Sequence, residues 1–300
     1  MSESRDADRC DSEHAMQCME IIGGNRAVRQ RITAPGLDIW IDSRPLAPGK
    51  GGGDVHYIST CGGGYVTRLA LADVAGHGES VDRLGIALRK LMRKYINTLD
   101  QTRFATALNR ELNADADFGR FATALLLTYF APTRHLIICN AGHGHPLRYS
   151  ARRGTWELLD LAAAGACPSL KESRVRYHLE RLSNLPLGIL DPIEYEQLAI
   201  ELDQDDVVLL STDAVTEAAD ETGQMLGEAG LLALMNGLGT KDHLEIGERL
   251  ISALDERRGK NTGADDQTVI VIKHNQTQPP RPSLRRSAHT LAKMIGLEPV

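Results

Sequence analysis

Aromatic side chains are scarce in this chain of 300 residues, at 4% with 4 Phe, 2 Trp and 7 Tyr. Leu, Ile, Val and Ala must therefore fill any core. The five cysteines, Cys10, Cys18, Cys61, Cys139 and Cys167, are odd in number and widely spaced, with no C-x-x-C. That pattern excludes a disulfide framework or a zinc knuckle and fits reduced thiols in a cytoplasmic protein. No uncharged run reaches the ~18 apolar residues of a membrane span; the stretches 121–133 and 229–240 are too short. The first residues are charged from Glu3 onward, unlike a signal peptide. An excess of basic charge is also missing: 34 Lys and Arg against 40 Asp and Glu leave a net charge of -6, the wrong sign for binding nucleic acid by counterion release.

What is present is ordinary globular material, 42% hydrophobic and 25% charged. Residues 1–33 read as an N-terminal arm, with a short helix or docking element at the apolar cluster Met16 to Ile22. From Leu37 the pattern alternates, and strands are predicted at Leu37–Asp42, His56–Ser59 and Tyr65–Leu71. After Gly76-His77-Gly78 the period becomes helical, with Val81, Leu84, Leu88, Leu91 and Tyr95 on one face. A second helix is expected over Thr102–Leu112. Strands resume at Phe121–Phe130, His135–Asn140 and Pro146–Tyr149, a meander that implies antiparallel pairing. Residues 150–183 are poorly patterned and read as an insertion or a lid-like loop. Further strands are predicted at Tyr195–Leu202, Val207–Ser211 and Gln267–Ile272, and helices at Gly227–Met235 and Lys241–Arg258, with Gly259 as a C-terminal cap. A basic, Pro-containing tail, 275–300, follows; its Leu284, Ala288, Leu291 and Ile295 share one helical face.

Aspartate is depleted in strands, yet apolar strands here carry one at their ends: Asp54, Asp73, Asp213, and Asp265 with Asp266. Gly62-Gly63-Gly64 must be a turn, and partners across a hairpin have a constant sum of residue numbers. For Asp54 and Asp73 that sum places the two carboxylates opposite each other at the open end. Directly opposed like charges destabilise an antiparallel pair, so either both point into water or a cation lies between them. Carboxylate oxygens favour magnesium or manganese over zinc.

The segments Gly52-Gly53-Asp54, Ala72 to Gly78, Phe121-Ala122-Thr123, Asn140-Ala141-Gly142-His143, Leu185-Pro186-Leu187-Gly188, Ser211 to Ala218 and Ala264 to Val269 resemble, in order, the motif set of the PPM-type metal-dependent protein phosphatases, in their bacterial SpoIIE-like branch. The resemblance covers about Leu37 to His274, so one domain is expected over 34–274. It implies an α+β fold, a four-layer αββα sandwich of two antiparallel sheets flanked by helices. It also implies hydrolysis of phosphoserine or phosphothreonine without a phosphoenzyme, at a centre of two Mn2+ or Mg2+ ions.

Carried over by position, Asp54 and Asp73 resemble the metal-bridging catalytic pair, the backbone carbonyl of Val74 a further ligand, and Asp213 and Asp265 the remaining carboxylates, with Asp266 ranked behind Asp265. Ala214 departs from the glycine common after the third aspartate; its methyl group threatens crowding or a different turn. His77, His143 and His145 are read as structural. The branch suggests a phosphorylated regulatory protein as partner, such as a STAS-type anti-anti-sigma protein, by analogy alone. A non-catalytic phosphoprotein-binding module of the same fold and a hydrolase of small phosphoesters are the rival readings.

Overall fold

The computed structural model describes residues 11–47, 51–75, 79–94, 100–114, 121–159, 184–238, 242–259 and 265–279. His77, residues 160–183 of the expected lid-like loop and the amphipathic pattern of the tail lie outside the described residues.

Thirteen strands among the described residues form two sheets. The first combines β1 (Asp11–Ala15), β3 (Val28–Ala34), β4 (Leu37–Arg44), β13 (Gln267–His274), β12 (Val207–Ser211), β9 (Leu147–Ser150) and β10 (Thr155–Leu158), in the spatial order β1-β3-β4-β13-β12-β9-β10. The second combines β11 (Leu198–Glu201), β8 (His135–Ala141), β7 (Ala122–Phe130), β6 (Val66–Val74), β5 (Asp54–Cys61) and β2 (Ile21–Gly24), in the order β11-β8-β7-β6-β5-β2.

Alternation along the strands makes the layers. Ile58, Leu69, Leu71, Leu125 and Leu127 of the second sheet meet Ile39, Ile41, Leu210 and Ile270 of the first. The other face of the second sheet, with Val55, Ala70, Ala72 and Leu126, packs on α1 (Glu79–Lys94) and α2 (Gln101–Asn113). The outer face of the first, with Trp40, Leu209, Val269 and Val271, packs on α4 (Gly227–Gly237) and α5 (His243–Arg258). This is the αββα sandwich the sequence led one to expect. The start and the packing face of α2 follow from local chemistry: Asp100 caps it by accepting from the backbone N–H of Thr102 at 3.0 Å, and Phe104, Leu108 and Leu112 line its buried face. No described helix is long and apolar enough to cross a membrane.

Two expectations are corrected. Residues 16–22 hold no helix; β2 pairs with β5, β3 pairs with β4, and the segment expected to be an arm supplies strands to both sheets. A boundary at residue 34 would therefore cut these strands away from the sheets they pair into. The physical reason lies in Gly23, whose backbone approaches His56 of β5 so closely that a Cβ would collide with its carbonyl, while Met16, Ile22 and Val28 pack on the inter-sheet core. The sheets are also not wholly antiparallel, because the edge strand β1 runs parallel to β3.

Candidate metal centre

The hairpin of β5 and β6 turns through Gly62–Gly64, where Gly63 (φ 69°) and Gly64 (φ 96°) adopt a left-handed backbone that favours glycine. Its register pairs Cys61 with Val66 and, at the open end, Asp54 with Asp73. Paired residues share a face, and the alternation that buries Ile58, Leu69 and Leu71 between the sheets points Asp54 and Asp73 the same way. The next strand continues the row, with Thr123 of β7 opposite Asp73.

The other sheet brings its carboxylates to the same end. Asp213 opens the short helix α3 (Asp213–Thr216) just after β12, and Asp265 lies just before β13, the neighbour of β12. Between them Thr212 donates from its hydroxyl to Asp54 Oδ2 at 2.9 Å, and its backbone N–H bonds to the Thr268 carbonyl at 3.1 Å. Thr268 supplies a second hydroxyl to Asp54 and touches the Ser43 hydroxyl at 3.0 Å. Asp54 is buried, Asp73 half-buried, and Asp213 and Asp265 exposed, so the site deepens from an open mouth to a floor at Asp54.

The electrostatics report this convergence. Burial, then the charges of Asp73 and Asp266, hold the Asp54 carboxyl well above the usual carboxylate range, against the hydroxyls of Thr268 and Thr212. Asp73 is pushed up to about 7 by burial and by the charges of Asp213, Asp265, Asp266 and Glu217. Partial desolvation and Asp265 raise Asp213. No Lys or Arg partner is recorded for any of the four among the described residues. Among those residues no three His, Cys, Asp or Glu side chains are gathered tightly enough to hold an ion. Burial first, and then the charges of neighbouring carboxylates, account for the raised pKa values. An all-oxygen, acid-rich donor set suits a hard divalent cation.

Asp266 has a different task from Asp265. Its carboxylate accepts from the backbone N–H of Leu46 at 2.6 Å and from that of Gly53. A Cβ at Gly52 would lie 2.7 Å from its carboxyl carbon. Asp266 thus clamps the segment that leads into Asp54, and Gly52 is the residue that lets it approach. Val74 follows Asp73 at the end of β6, with its N–H bonded to the Gly53 carbonyl at 3.3 Å.

Ala214 lies in α3 with a right-handed helical backbone, so the position demands no glycine and the feared change of turn does not arise. Arg258 donates to its carbonyl at 2.8 Å and steadies the turn that carries Asp213.

Glu217 escaped notice in the sequence. It stands one helical turn after Asp213, a spacing that marks neighbours on a helix face, and its carboxyl is raised by partial desolvation and by Asp213 and Asp265. Of the three histidines expected to be structural, His143 and His145 lie among the described residues. Asn140 brackets the His143 backbone, accepting its N–H at 2.7 Å and donating to its carbonyl at 2.8 Å, and burial pushes the imidazole down to about 4, hence neutral. His145 pairs with Glu228 at 2.8 Å.

Residues 63–165 and 157–275 match the family model described as Stage II sporulation protein E (SpoIIE). These spans take in most of the chain, which belongs to this family of PPM-type phosphatases. Phosphoserine phosphatase RsbU of Bacillus subtilis (strain 168) is 28% identical over 161 residues, covering 52% of this chain and 40% of that protein. The chain spans less than half the length of the curated relatives it matches. Among solved structures, the RsbU and RsbW domains of Rv1364c from Mycobacterium tuberculosis align with a TM-score of 0.64 at 18% identity, covering 91% of this chain and 72% of that one. The catalytic domain of the serine/threonine protein phosphatase PstP, in complex with 2 manganese ions, aligns with a TM-score of 0.51 at 18% identity, covering 79% of this chain and 97% of that one.

Proposed function

We propose that this chain is a metal-dependent protein serine/threonine phosphatase, in which Asp54, Asp73, Asp213, Asp265 and the Val74 carbonyl hold two Mn2+ or Mg2+ ions. The observation that carries the reading is the pairing of Asp54 with Asp73 on the inner face, joined by Asp213 and Asp265 from the other sheet with no basic partner among the described residues. Two such ions, when bound, supply a water acidic enough to attack phosphorus and offset charge on the phosphoryl oxygens.

The chain's own residues prepare that chemistry. Thr212 and Thr268 orient Asp54, Asp266 anchors the segment before it, and Arg258 steadies the turn bearing Asp213. The exposed mouth admits a side chain presented by another protein. Its relatives suggest a phosphorylated regulatory protein as substrate, in bacterial signalling of the partner-switching kind, with a STAS-type anti-anti-sigma protein as the candidate partner. Reduced thiols at Cys18, Cys61 and Cys139 fit the cytoplasm.

The test begins with chelator-treated protein, which should be inactive on p-nitrophenyl phosphate and on a phosphoserine protein, and regain both activities with manganese. No restored activity with either metal sinks the reading. A rate on small metabolites that exceeds the rate on phosphoproteins favours the small-phosphoester rival.

A further inference from the structure

Six large apolar side chains are exposed among the described residues: Leu46, Ile86, Phe121, Ile189, Leu190 and Met225. Four of these border the carboxylate end of the sandwich. On one flank, Leu46 is 55% exposed while its N–H is bound to Asp266. On the other, the Phe121 carbonyl accepts from the N–H of Ala75, two residues past Asp73, at 3.0 Å. Phe121 also lies two residues before Thr123, the register partner of Asp73. Ile189 and Leu190 join Phe121 because Ala122 and Leu187 exchange backbone hydrogen bonds of 3.0 and 2.7 Å.

This exposure is built into the fold. Asn109, fully buried on α2, accepts from the Gly188 N–H and donates to the Leu190 carbonyl, both at 2.9 Å. The turn is therefore pinned from beneath, with Ile189 50% and Leu190 43% exposed above it. Apolar groups clustered around an acidic centre mark a binding surface, and a small phosphoester has nothing to lay against them.

We propose that this apolar rim docks the polypeptide that carries the phosphate and selects a large aliphatic side chain two or three residues from the phosphorylated serine or threonine. The inference rests on the phosphatase reading and adds the recognition element of its substrate. The spacing follows from strand geometry. Two residues along β7 and one strand across place Phe121 roughly 8 Å from Asp73, at ~3.4 Å per residue and ~4.8 Å between strands. An extended substrate covers that distance in two to three residues. Continuity with the carboxylate centre, and apolar groups on both of its flanks, favour a substrate over a second copy of this chain.

The experiment compares short phosphoserine peptides that carry Leu or Ser at each position two or three residues before or after the phosphoserine. Each is assayed with manganese against the wild type and an Ile189→Ser/Leu190→Ser variant. The readout is the ratio of kcat/KM for the Leu and Ser peptides within each enzyme, which cancels any general loss of activity. The wild type should prefer Leu about tenfold or more at one position at least, the size expected for an apolar pocket contact. The variant should reduce that ratio to below about threefold. A wild-type ratio near one at every position overturns the proposal, as does a ratio that the variant leaves unchanged. A wild-type dimer in light scattering that the variant dissolves, with no peptide preference, makes the rim a self-interface instead. Failure on p-nitrophenyl phosphate as well as on every peptide defeats the phosphatase reading itself, an outcome distinct from a lost preference.

Discussion

The two ends of β12 each carry an aspartate, and the fold treats them in opposite ways. Asp206, just before the strand, is fully buried and satisfied: Arg148 reaches it at 2.5 Å, and the backbone N–H groups of Ala151 and Asp203 donate at 2.9 and 3.1 Å. Asp42 on β4 is handled likewise, with Arg29 at 2.9 Å and Arg44 at 2.5 Å. Asp213, just past the other end, meets Asp265 and the backbone N–H groups of its own turn, and the Asp54–Asp73 pair meets carboxylates and two threonine hydroxyls, with no arginine at either among the described residues. A buried carboxylate with an arginine is a closed account between two side chains. One raised by burial and by neighbouring carboxylates carries an unfavourable charge that a cation relieves. The contrast separates aspartates that hold the fold from aspartates proposed to hold the ions.

The largest expected effect comes from removing one member of the uncompensated set. Asp73→Asn should lower manganese-dependent turnover of p-nitrophenyl phosphate by about a thousandfold or more, of the order lost when a preorganised electrostatic group is removed. Its stability in chelator at pH 8 should equal or exceed that of the wild type. Retention of most of the activity at saturating manganese would remove Asp73 from the centre.

Asp206→Ala should behave inversely. It leaves the Arg148 charge buried without its partner, at a cost of about 3–5 kcal/mol, read as a lower midpoint in urea. The fraction that stays folded should keep near-normal turnover. Equal loss of activity and stability would erase the distinction between the two ends.

A smaller effect appears in the pH dependence of the metal-free protein. The Asp73 pKa is raised from 3.8 to about 7 in the folded state, so between these values the folded protein retains a proton that the unfolded chain has released. Stability from this group therefore falls as pH rises through that window. Relative to Asp73→Asn, the chelated wild type should lose about 1–3 kcal/mol between pH 4 and pH 8, allowing for the partial exposure of Asp73. Identical profiles for the two proteins would contradict the repulsion.

Ala214→Gly should do least. The residue is helical, so glycine should cost about 0.5–1 kcal/mol and leave turnover within about twofold, an effect far below that of Asp73→Asn. A marked gain in activity would mean that the methyl group does obstruct the centre.

The Asp54–Asp73 register was legible in the sequence because a hairpin turn fixes pairing by arithmetic, and Gly62–Gly64 could hardly be anything but a turn. The long helix after residue 78 was equally legible, since its apolar period repeats over several turns. Residues 11–34 were not: their strands are short, and what makes them strands is pairing with β4 and β5, which lie elsewhere in the chain. The clamp by Asp266 was invisible for a related reason, as it depends on what stands opposite, whereas the spacing of Glu217 from Asp213 was local and only its nearness to Asp265 depended on the fold.

By itself, then, the sequence determined the local periods, the hairpin register and the set of strand-end aspartates, all properties carried by neighbouring residues. Which of those aspartates would find an arginine and which would find only other carboxylates was decided by the packing of the two sheets. Asp42 and Asp54 each belong to a strand, and Arg44, two residues from Asp42, is a local difference in charge that alone does not say where either side chain points. Asp42 is drawn between Arg29 of β3 and Arg44 of its own strand, whereas Asp54 faces Thr212 and Thr268 across the sandwich. Charge compensation is a property of three-dimensional neighbours, and those neighbours exist only once the sheets have closed on each other.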